Sequence, residues 1–508
     1  MINRDGFLKS LWQDGVLSQP INSTDSTAIY DVAIVGGGIT GVSLALQLQK
    51  EGKKCILIEA ANLCFGTTGG TTAHINTLLD TPYTTIAKNF GDENATIIAN
   101  AAKDAVELIK TNIKYYDIDC GFEEADAYTF AETDDEVKDL DEIFIASAKV
   151  DLPIAYTSEI PVPIPFKKAF KVGGQAKFHP TRYVYALAAE FVKAGGTVLE
   201  QCRVTDMRQE ENVQIETTLG TFEASKLVFA THIPIGVNLL HLRCAPYRTY
   251  VIAVTLKDKD AYPEELIYDS KDPYYYYRTQ KVDGLKYLIV GGEDHKTAHE
   301  PDTEKCFRDL EAHVRKYYDI EEVSYKWSSQ YFEPTDGIPY IGLLPGYDKN
   351  IYVATGFGGN GMTYSGVATL ALTELILHGK SAYKDIFNPY RVKPIAGFVN
   401  FIKENADVVK KLVGSILPSE KLKDLANLSL GEGKVVKYDG QTVGLYRDEN
   451  GMIHAVNPTC THMKCTVEWN PAEKSWDCPC HGGRFDCNGN ILTGPVSENL
   501  EKISIEHV

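Results

Sequence analysis

Long apolar runs are missing from this chain. No stretch reaches the ~18 consecutive apolar residues that a membrane-crossing helix needs, so no membrane span is expected. Basic residues are also scarce, with 51 Lys and Arg against 69 Asp and Glu and a formal net charge of −18. Nucleic-acid partners require clustered cations to meet phosphates, and this balance argues against them. The opening residues, MINRDGFLKSLWQDG, hold neither the apolar core nor the small-residue cleavage site of a secretory leader, which makes a cytoplasmic location the expectation. What is present is ordinary globular composition, 44% apolar and 24% charged. At 508 residues the chain exceeds one hydrophobic core, and roughly two to four domains are expected. Cysteine is unevenly distributed. Six of the eleven are scattered between Cys55 and Cys306, while Cys460, Cys465, Cys478, Cys480 and Cys487 fall within 28 residues. The scattered set reads as buried thiols and the cluster as metal or redox chemistry.

Residues 30–50, YDVAIVGGGITGVSLALQLQK, carry the clearest chemistry. An unbroken apolar run, 32–35, reads as a strand buried on both faces. Gly36-Gly37-Gly38-Ile39-Thr40-Gly41 follows, and Val42, Ala45 and Leu46 then recur at helical spacing. This is G-x-G-x-x-G between a strand and a helix. Gly36 permits the tight turn, Gly38 lets a pyrophosphate approach the backbone, and Gly41 allows close helix–strand packing. The helix start offers N–H groups and a positive dipole end to phosphates. A second strand, 55–58, ends at Glu59, about 20 residues on, where an acid grips a ribose hydroxyl. Together these features predict a bound dinucleotide rather than a mere glycine turn.

Next comes a loop of glycines and hydroxyls, 64–74, including Thr67 and Thr68, which either reaches the cofactor or lies in solvent. His74 at its end reads as a flavin contact or as a histidine satisfied by backbone groups. Residues 85–170 read as helices (95–116 and 133–148) and a proline-rich connection, with no chemical motif. After KFHP a helix is predicted over 181–194, then strands near 197–203 and 213–217 and a central apolar strand at 226–231. Residues 239–326 turn to alternating strands. In Tyr274-Tyr275-Tyr276-Tyr277-Arg278, Arg278 shares a face with Tyr276 and Tyr274. That face either holds a small carboxylate-bearing or aromatic substrate, with Arg278 as anchor and Tyr276 beside it, or is an aromatic-packed outer face. Residues 291–296, GGEDHK, read as a dense polar turn after a strand, or as a solvated hairpin. A second strand–glycine turn–helix, 351–377, contains Gly358, Gly361 and Met362 and implies a cofactor held from two sides. Residues 388–428 carry helix-period patterns. Residues 430–508 read as short strands and turns of a separate all-β module.

That module contains Cys460-Thr461-His462 and, further on, Cys478-Pro479-Cys480-His481, with Gly482-Gly483-Arg484-Phe485-Asp486 and Gly494-Pro495 after them. The set resembles the Rieske [2Fe–2S] fold, a Cys2His2 zinc site being the competing reading. The resemblance implies Cys460 and Cys478 on one iron and His462 and His481 on the other. It also implies a Cys465–Cys480 disulfide joining the two ligand loops. Respiratory-type members carry a serine and a tyrosine that hydrogen-bond the cluster. Gly483 and Phe485 stand there instead, which predicts a potential below that group.

Residues 30–380 resemble the D-amino-acid-oxidase/glycine-oxidase family of FAD enzymes, through GGGITG with Glu59, the GTTGG loop, KFHP, LVFAT and TGFGGNGM. The resemblance implies FAD, with Val204 completing the cofactor-binding set. Some members tether flavin through a histidine where Gly70 stands, so non-covalent FAD is expected. The expected fold is a Rossmann-like, glutathione-reductase-type α/β FAD-binding domain (30–84, 171–238, 331–385) with an inserted α+β substrate domain (85–170, 239–330). A helical linker (386–429) and a C-terminal all-β Rieske domain (430–508) follow. The expected activity is amine or amino-acid dehydrogenation, with electrons leaving the flavin through the cluster to an acceptor protein or carrier. The alternatives are a reductive flavoenzyme fed by a protein donor and a redox sensor that does not turn over.

Overall fold

The computed structural model describes residues 4–15, 29–347, 349–391, 428–438 and 441–503. Ile29–Val35 is the centre of the first sheet, running parallel to Gly220–Phe229 on one side and Cys55–Ile58 on the other, with Val35 opposite Phe229 and Ile58. Ile351–Thr355 and Thr197–Leu199 extend it in parallel, and Tyr340–Leu343 closes one edge antiparallel. Cys55–Ile58 and Ile351–Thr355 are buried at every position, as parallel strands covered on both faces must be. Helices Ile39–Lys50, Pro180–Lys193 and Gly361–His378 pack together over one face. Pro180 starts its helix without forfeiting a needed N–H, and the His179 side chain caps the Arg182 N–H at 3.3 Å. Gly361–His378 is apolar nearly all round because it lies between layers, and Gly379 ends it in the left-handed conformation.

Among the described residues the second sheet has nine strands, one of which, Ile154–Thr157, pairs with Lys168–Lys177 off the main order. Ile320–Pro334, Cys244–Leu256, Leu285–Lys296, Tyr276–Val282, Leu266–Asp269, Glu123–Ala131, Lys168–Lys177 and His74–Ile75 follow one another across it. Three sequence expectations need correcting here. Glu123–Ala131, inside a region read as helical, is a half-buried strand paired with Lys168–Lys177. Lys168–Lys177 and His74–Ile75 belong to this sheet, so the chain crosses between layers at these strands rather than at residues 84 and 170. Residues 291–296 are no hairpin turn; they continue Leu285–Lys296, pairing with Cys244–Leu256 across a bulge. Of the expected 386–429 linker, residues 392–427 lie outside the described residues.

The C-terminal module holds a three-stranded sheet (Gly433–Tyr438, Gln441–Arg447, Ile453–Val456) and a four-stranded one (Glu468–Asn470, Ser475–Asp477, Arg484–Asp486, Ile491–Thr493). It sits on the body through a buried charge network. Arg4 bonds Glu473 at 3.0 Å, Arg484 reaches Asp477 at 3.0 Å and Asp5 at 3.3 Å, and Arg248 lies 3.7 Å from Glu473 and 3.8 Å from Asp477. Glu473 also accepts from the Ser328 N–H and hydroxyl. Three guanidiniums thus meet three carboxylates, the balance that makes buried charge tolerable. The N-terminal segment ties the same seam to the 64–74 loop: Ser10 donates to the Gly69 carbonyl, and Gln13 to that of Cys64.

Candidate active site

One cavity of about 730 Å³ runs between the two sheets and along the C-terminal module. At its nucleotide end, Gly36 takes φ +112°, and a Cβ there would meet the Ala230 carbonyl oxygen at 2.4 Å. A Cβ on Gly41 would lie 1.9 Å from the Gly36 carbonyl oxygen, so this glycine serves packing and does not line the cavity. Gly38 does line it, at the start of Ile39–Lys50. Glu59 is clamped, Oε2 accepting from the Gly37 N–H at 2.6 Å and Oε1 from Ala61 at 2.8 Å. Burial pushes its carboxyl up, and the two N–H groups and Arg203 pull it back. Thr67, Thr68 and Val204 are on the wall. The Thr68 hydroxyl accepts from the Ile39 N–H at 3.1 Å, and that of Thr67 donates to the Gln330 carbonyl at 2.9 Å. Across the cavity, Gly358, Gly361 and Met362 line the start of the second helix. A Cβ on Gly358 or Gly361 would meet nothing within 4 Å, so backbone lies open to a ligand on this side too. A backbone cradle at two helix starts, with a clamped acid beyond, fits an FAD pyrophosphate and ribose.

The substrate end brings together His74, Asp80, Tyr268, Tyr274, Tyr276 and Asp294. The Tyr268 hydroxyl meets His74 Nδ1 at 2.6 Å and accepts from Asn76 at 3.0 Å, and the Tyr276 and Thr249 hydroxyls hydrogen-bond each other at 2.8 Å. Burial, then Arg278 and Lys177, hold His74 well below the usual imidazole range, so it is neutral. Arg278 itself requires a correction: it does not line the cavity. Its Nη1 donates to the carbonyls of Thr72 (2.9 Å), Ala73 (2.7 Å) and Phe178 (3.2 Å), its Nη2 donates to Gln280, and Trp12 stacks on it. With both Nη atoms committed and no part of it on the cavity wall, this fully enclosed guanidinium shapes the loop before His74 and does not reach a substrate carboxylate, although its Nε is buried without a partner. Sequence reasoning missed Asp80, Asp294 and Gln330. Asp294 was read as part of a turn, and no local pattern marks the other two.

In the C-terminal module, Cys460 and Cys478 are buried and share a hydrogen bond that lowers the first thiol and raises the second. The His462 and His481 rings lie 5.1 Å apart. His462 Nε2 pairs with the Gly236 carbonyl at 3.0 Å, which leaves Nδ1 buried without a partner, and both ring nitrogens of His481 are likewise orphaned. Orphaned buried imidazole nitrogens beside two thiols fit a [2Fe–2S] centre ligated through two Cys and two His. Cys465 and Cys480 form a disulfide, S–S 2.07 Å, and so offer no thiolate to a metal. His241, which the sequence did not single out, packs its ring 4.7 Å from that of His462 and 6.1 Å from that of His481.

The two sites share a wall. Leu492, Thr493, Gly494 and Val496 of the module line the cavity. A Cβ on Gly483 would stand 2.7 Å from Val496 and 3.7 Å from Cys460 Sγ, and Val496, on the cavity wall, belongs to the same buried cluster as Cys460. Gln330, also on the wall, donates to the Gly482 carbonyl at 2.9 Å, next to His481.

Fold and sites define a flavin-dependent oxidoreductase carrying a Rieske [2Fe–2S] domain. The chain belongs to the FAD dependent oxidoreductase (DAO) family, whose model matches residues 31–375, and the Rieske [2Fe-2S] domain model matches residues 420–504. It is 34% identical over 479 residues to YhfW of Bacillus subtilis (strain 168), named as a Rieske 2Fe-2S iron-sulfur protein, covering 94% of each chain. Gamma-glutamylputrescine oxidoreductase of Escherichia coli (strain K12) is 25% identical over 389 residues, 72% of this chain and 88% of that one. Glycine oxidase from Geobacillus kaustophilus superposes with a TM-score of 0.60 at 19% identity, covering 72% of this chain and all of that one. Among the described residues, no helix is long and apolar enough to cross a membrane.

Proposed function

We propose that the chain dehydrogenates an amine or amino acid and passes the electrons through its Rieske domain to an external acceptor. The observation that carries this reading is the shared wall: residues of the C-terminal module line the same cavity as Gly38, Glu59 and Gly361. When bound, the non-covalent flavin supplies two-electron hydride acceptance and the cluster supplies one-electron transfer. The chain's own groups bind, orient and exclude water. Gly38 and Gly361 admit pyrophosphate to the backbone, Glu59 accepts ribose hydroxyls, and Thr67, Thr68, Val204 and Met362 fix the remainder. The tyrosine-lined end excludes water and orients the donor carbon, the main task in such transfers. Cys460 and Cys478 would ligate one iron, and His462 and His481 the other through Nδ1. The Gly236 carbonyl holds the His462 ring, as partners of ligating histidines do.

The test is an anaerobic titration of holoprotein followed by visible and electron-spin-resonance spectra. Amines alone should bleach the flavin and then bring up the reduced-cluster signal. A cluster that stays oxidised beside a bleached flavin breaks the relay. A flavin that no amine bleaches, but that a reduced carrier protein does, reverses the direction of flow.

A further inference from the structure

The substrate end of the cavity carries the wrong charge for an amino acid. Eight carboxylates line the cavity as a whole, against two cations, Arg203 and Lys271. Neither cation is available. Arg203 lies in the field of Glu59 at the nucleotide end, and Lys271 is held by Glu132 at 2.7 Å and Asp269 at 3.5 Å. Arg278 is sealed behind the wall on backbone carbonyls.

At the substrate end itself, Asp294 Oδ2 accepts from the Tyr331 hydroxyl at 2.9 Å, while Oδ1 is buried with no hydrogen-bond partner. Asp80 hydrogen-bonds Tyr274. The rings of Tyr268, Tyr274 and Tyr276 follow one another at centroid spacings of 6.3 and 5.6 Å, and Tyr331 completes the wall. A buried carboxylate oxygen without a donor calls for a cation or a proton. Ring faces attract cations and do nothing for a carboxylate.

We propose that this end takes a cationic aliphatic amine with no carboxylate on its reacting carbon, held by Asp294 and Asp80 within the basket of Tyr268, Tyr274, Tyr276 and Tyr331. The proposal rests on the amine reading above and narrows it. A zwitterionic amino acid is rejected because its carboxylate meets acids and phenols with no guanidinium to receive it, a penalty that discriminates by repulsion. Burial, together with Asp80 and Glu293, pushes the Asp294 carboxyl up to about 7, so it is ionised only in part at neutral pH and gains most from a cation beside it.

Two probes of matched length test this in the holoenzyme: butyltrimethylammonium and pentanoate, neither of which has an oxidisable amine. Binding is read from perturbation of the flavin spectrum and by equilibrium dialysis. The ammonium should bind at least tenfold tighter than pentanoate. Asp294→Asn should weaken it at least tenfold without weakening pentanoate, and Asp294→Glu should restore part of the loss. If Asp294→Asn does not fold, Asp80→Asn carries the same comparison. Pentanoate binding as tightly as the ammonium, or a preference untouched by both Asn variants, overturns the proposal. Because the probes are inert, this outcome is separate from the amine reading. Ammonium preference with no amine bleaching the flavin keeps the cation site and removes the dehydrogenase; amines bleaching it with pentanoate preferred does the reverse.

Discussion

The two cofactor sites are built by opposite means. The nucleotide end of the cavity is made of missing atoms: Gly36, Gly38, Gly41 and Gly361 let backbone approach backbone or ligand. The proposed cluster site is made of side chains, two thiols and two imidazoles on two loops pinned by the Cys465–Cys480 disulfide. A site of the first kind fails when an atom is added, and one of the second kind fails when a group is removed. The seam that seats the C-terminal module on the body is of a third kind, a set of buried charges that belongs to neither motif.

The sharpest break of that contrast is Gly41→Ala. Its methyl would sit 1.9 Å from the Gly36 carbonyl oxygen, in rigid backbone. Purified variant should contain no flavin by visible absorbance yet keep its cluster signal. Full flavin content would show that the turn relaxes and that the glycine spacing is not the constraint.

Next in size is the seam. Burial opposes the charge on Glu473, and Arg4, Arg248 and Arg484 hold its carboxyl down to about 2 regardless. Glu473→Ala leaves three buried guanidiniums sharing two carboxylates, a loss of about 3–5 kcal/mol for breaking such a set. Denaturant unfolding should show the C-terminal module releasing first, with the flavin still bound. Since the folded value lies below the ordinary 4.5, the native network should weaken as pH falls from there toward 2. A loss under about 1 kcal/mol would place the seam among ordinary surface pairs.

These differences also explain what could be read from the chain in advance. Glycine spacing between a strand and a helix is local, and Glu59 follows at the end of the next strand, so the nucleotide end was legible. Cysteine and histidine are rare enough that their spacing in 460–481 spoke for the cluster. The substrate end was not legible. Asp80, Tyr268 and Asp294 come from three separate stretches and meet only after nine strands pair. Glu123–Ala131 was hidden for the same reason, its strand character being set by its neighbour Lys168–Lys177. Arg278 failed as an anchor although its strand was anticipated. Alternation assigns a face, not what covers it, and there the carbonyls of Thr72 and Ala73 and the Trp12 ring already do.

A smaller effect separates the substrate end from both cofactor sites, because it alone should respond to pH near neutrality. Asp294 faces the Tyr331 and Thr249 hydroxyls and the acids Glu293 and Asp80, and its carboxyl stands at about 7. Its ionised fraction then rises from about a tenth at pH 6 to about nine-tenths at pH 8. Butyltrimethylammonium, whose charge is fixed, should bind about tenfold tighter at the higher pH, by equilibrium dialysis. A flat profile would mean that Asp294 stays in one protonation state throughout.

The smallest expected change tests whether the cluster site, too, is defined partly by what is missing. Phe485 is fully buried in the same apolar cluster as Cys460 and Cys478, and Gly483 abuts Cys460. Neither side chain can donate to sulfur, where the respiratory-type pattern has a tyrosine and a serine. One restored neutral hydrogen bond is worth about 1 kcal/mol, on the order of 40 mV for a single electron. Phe485→Tyr should therefore raise the potential by that amount in a redox titration, since a donor to sulfur favours the more negative, reduced cluster. Gly483→Ser is the poorer probe, because its Cβ would press within 2.7 Å of Val496. An unchanged potential in Phe485→Tyr, with the cluster signal intact, would mean that the new hydroxyl bonds elsewhere and that the missing donors do not set the potential.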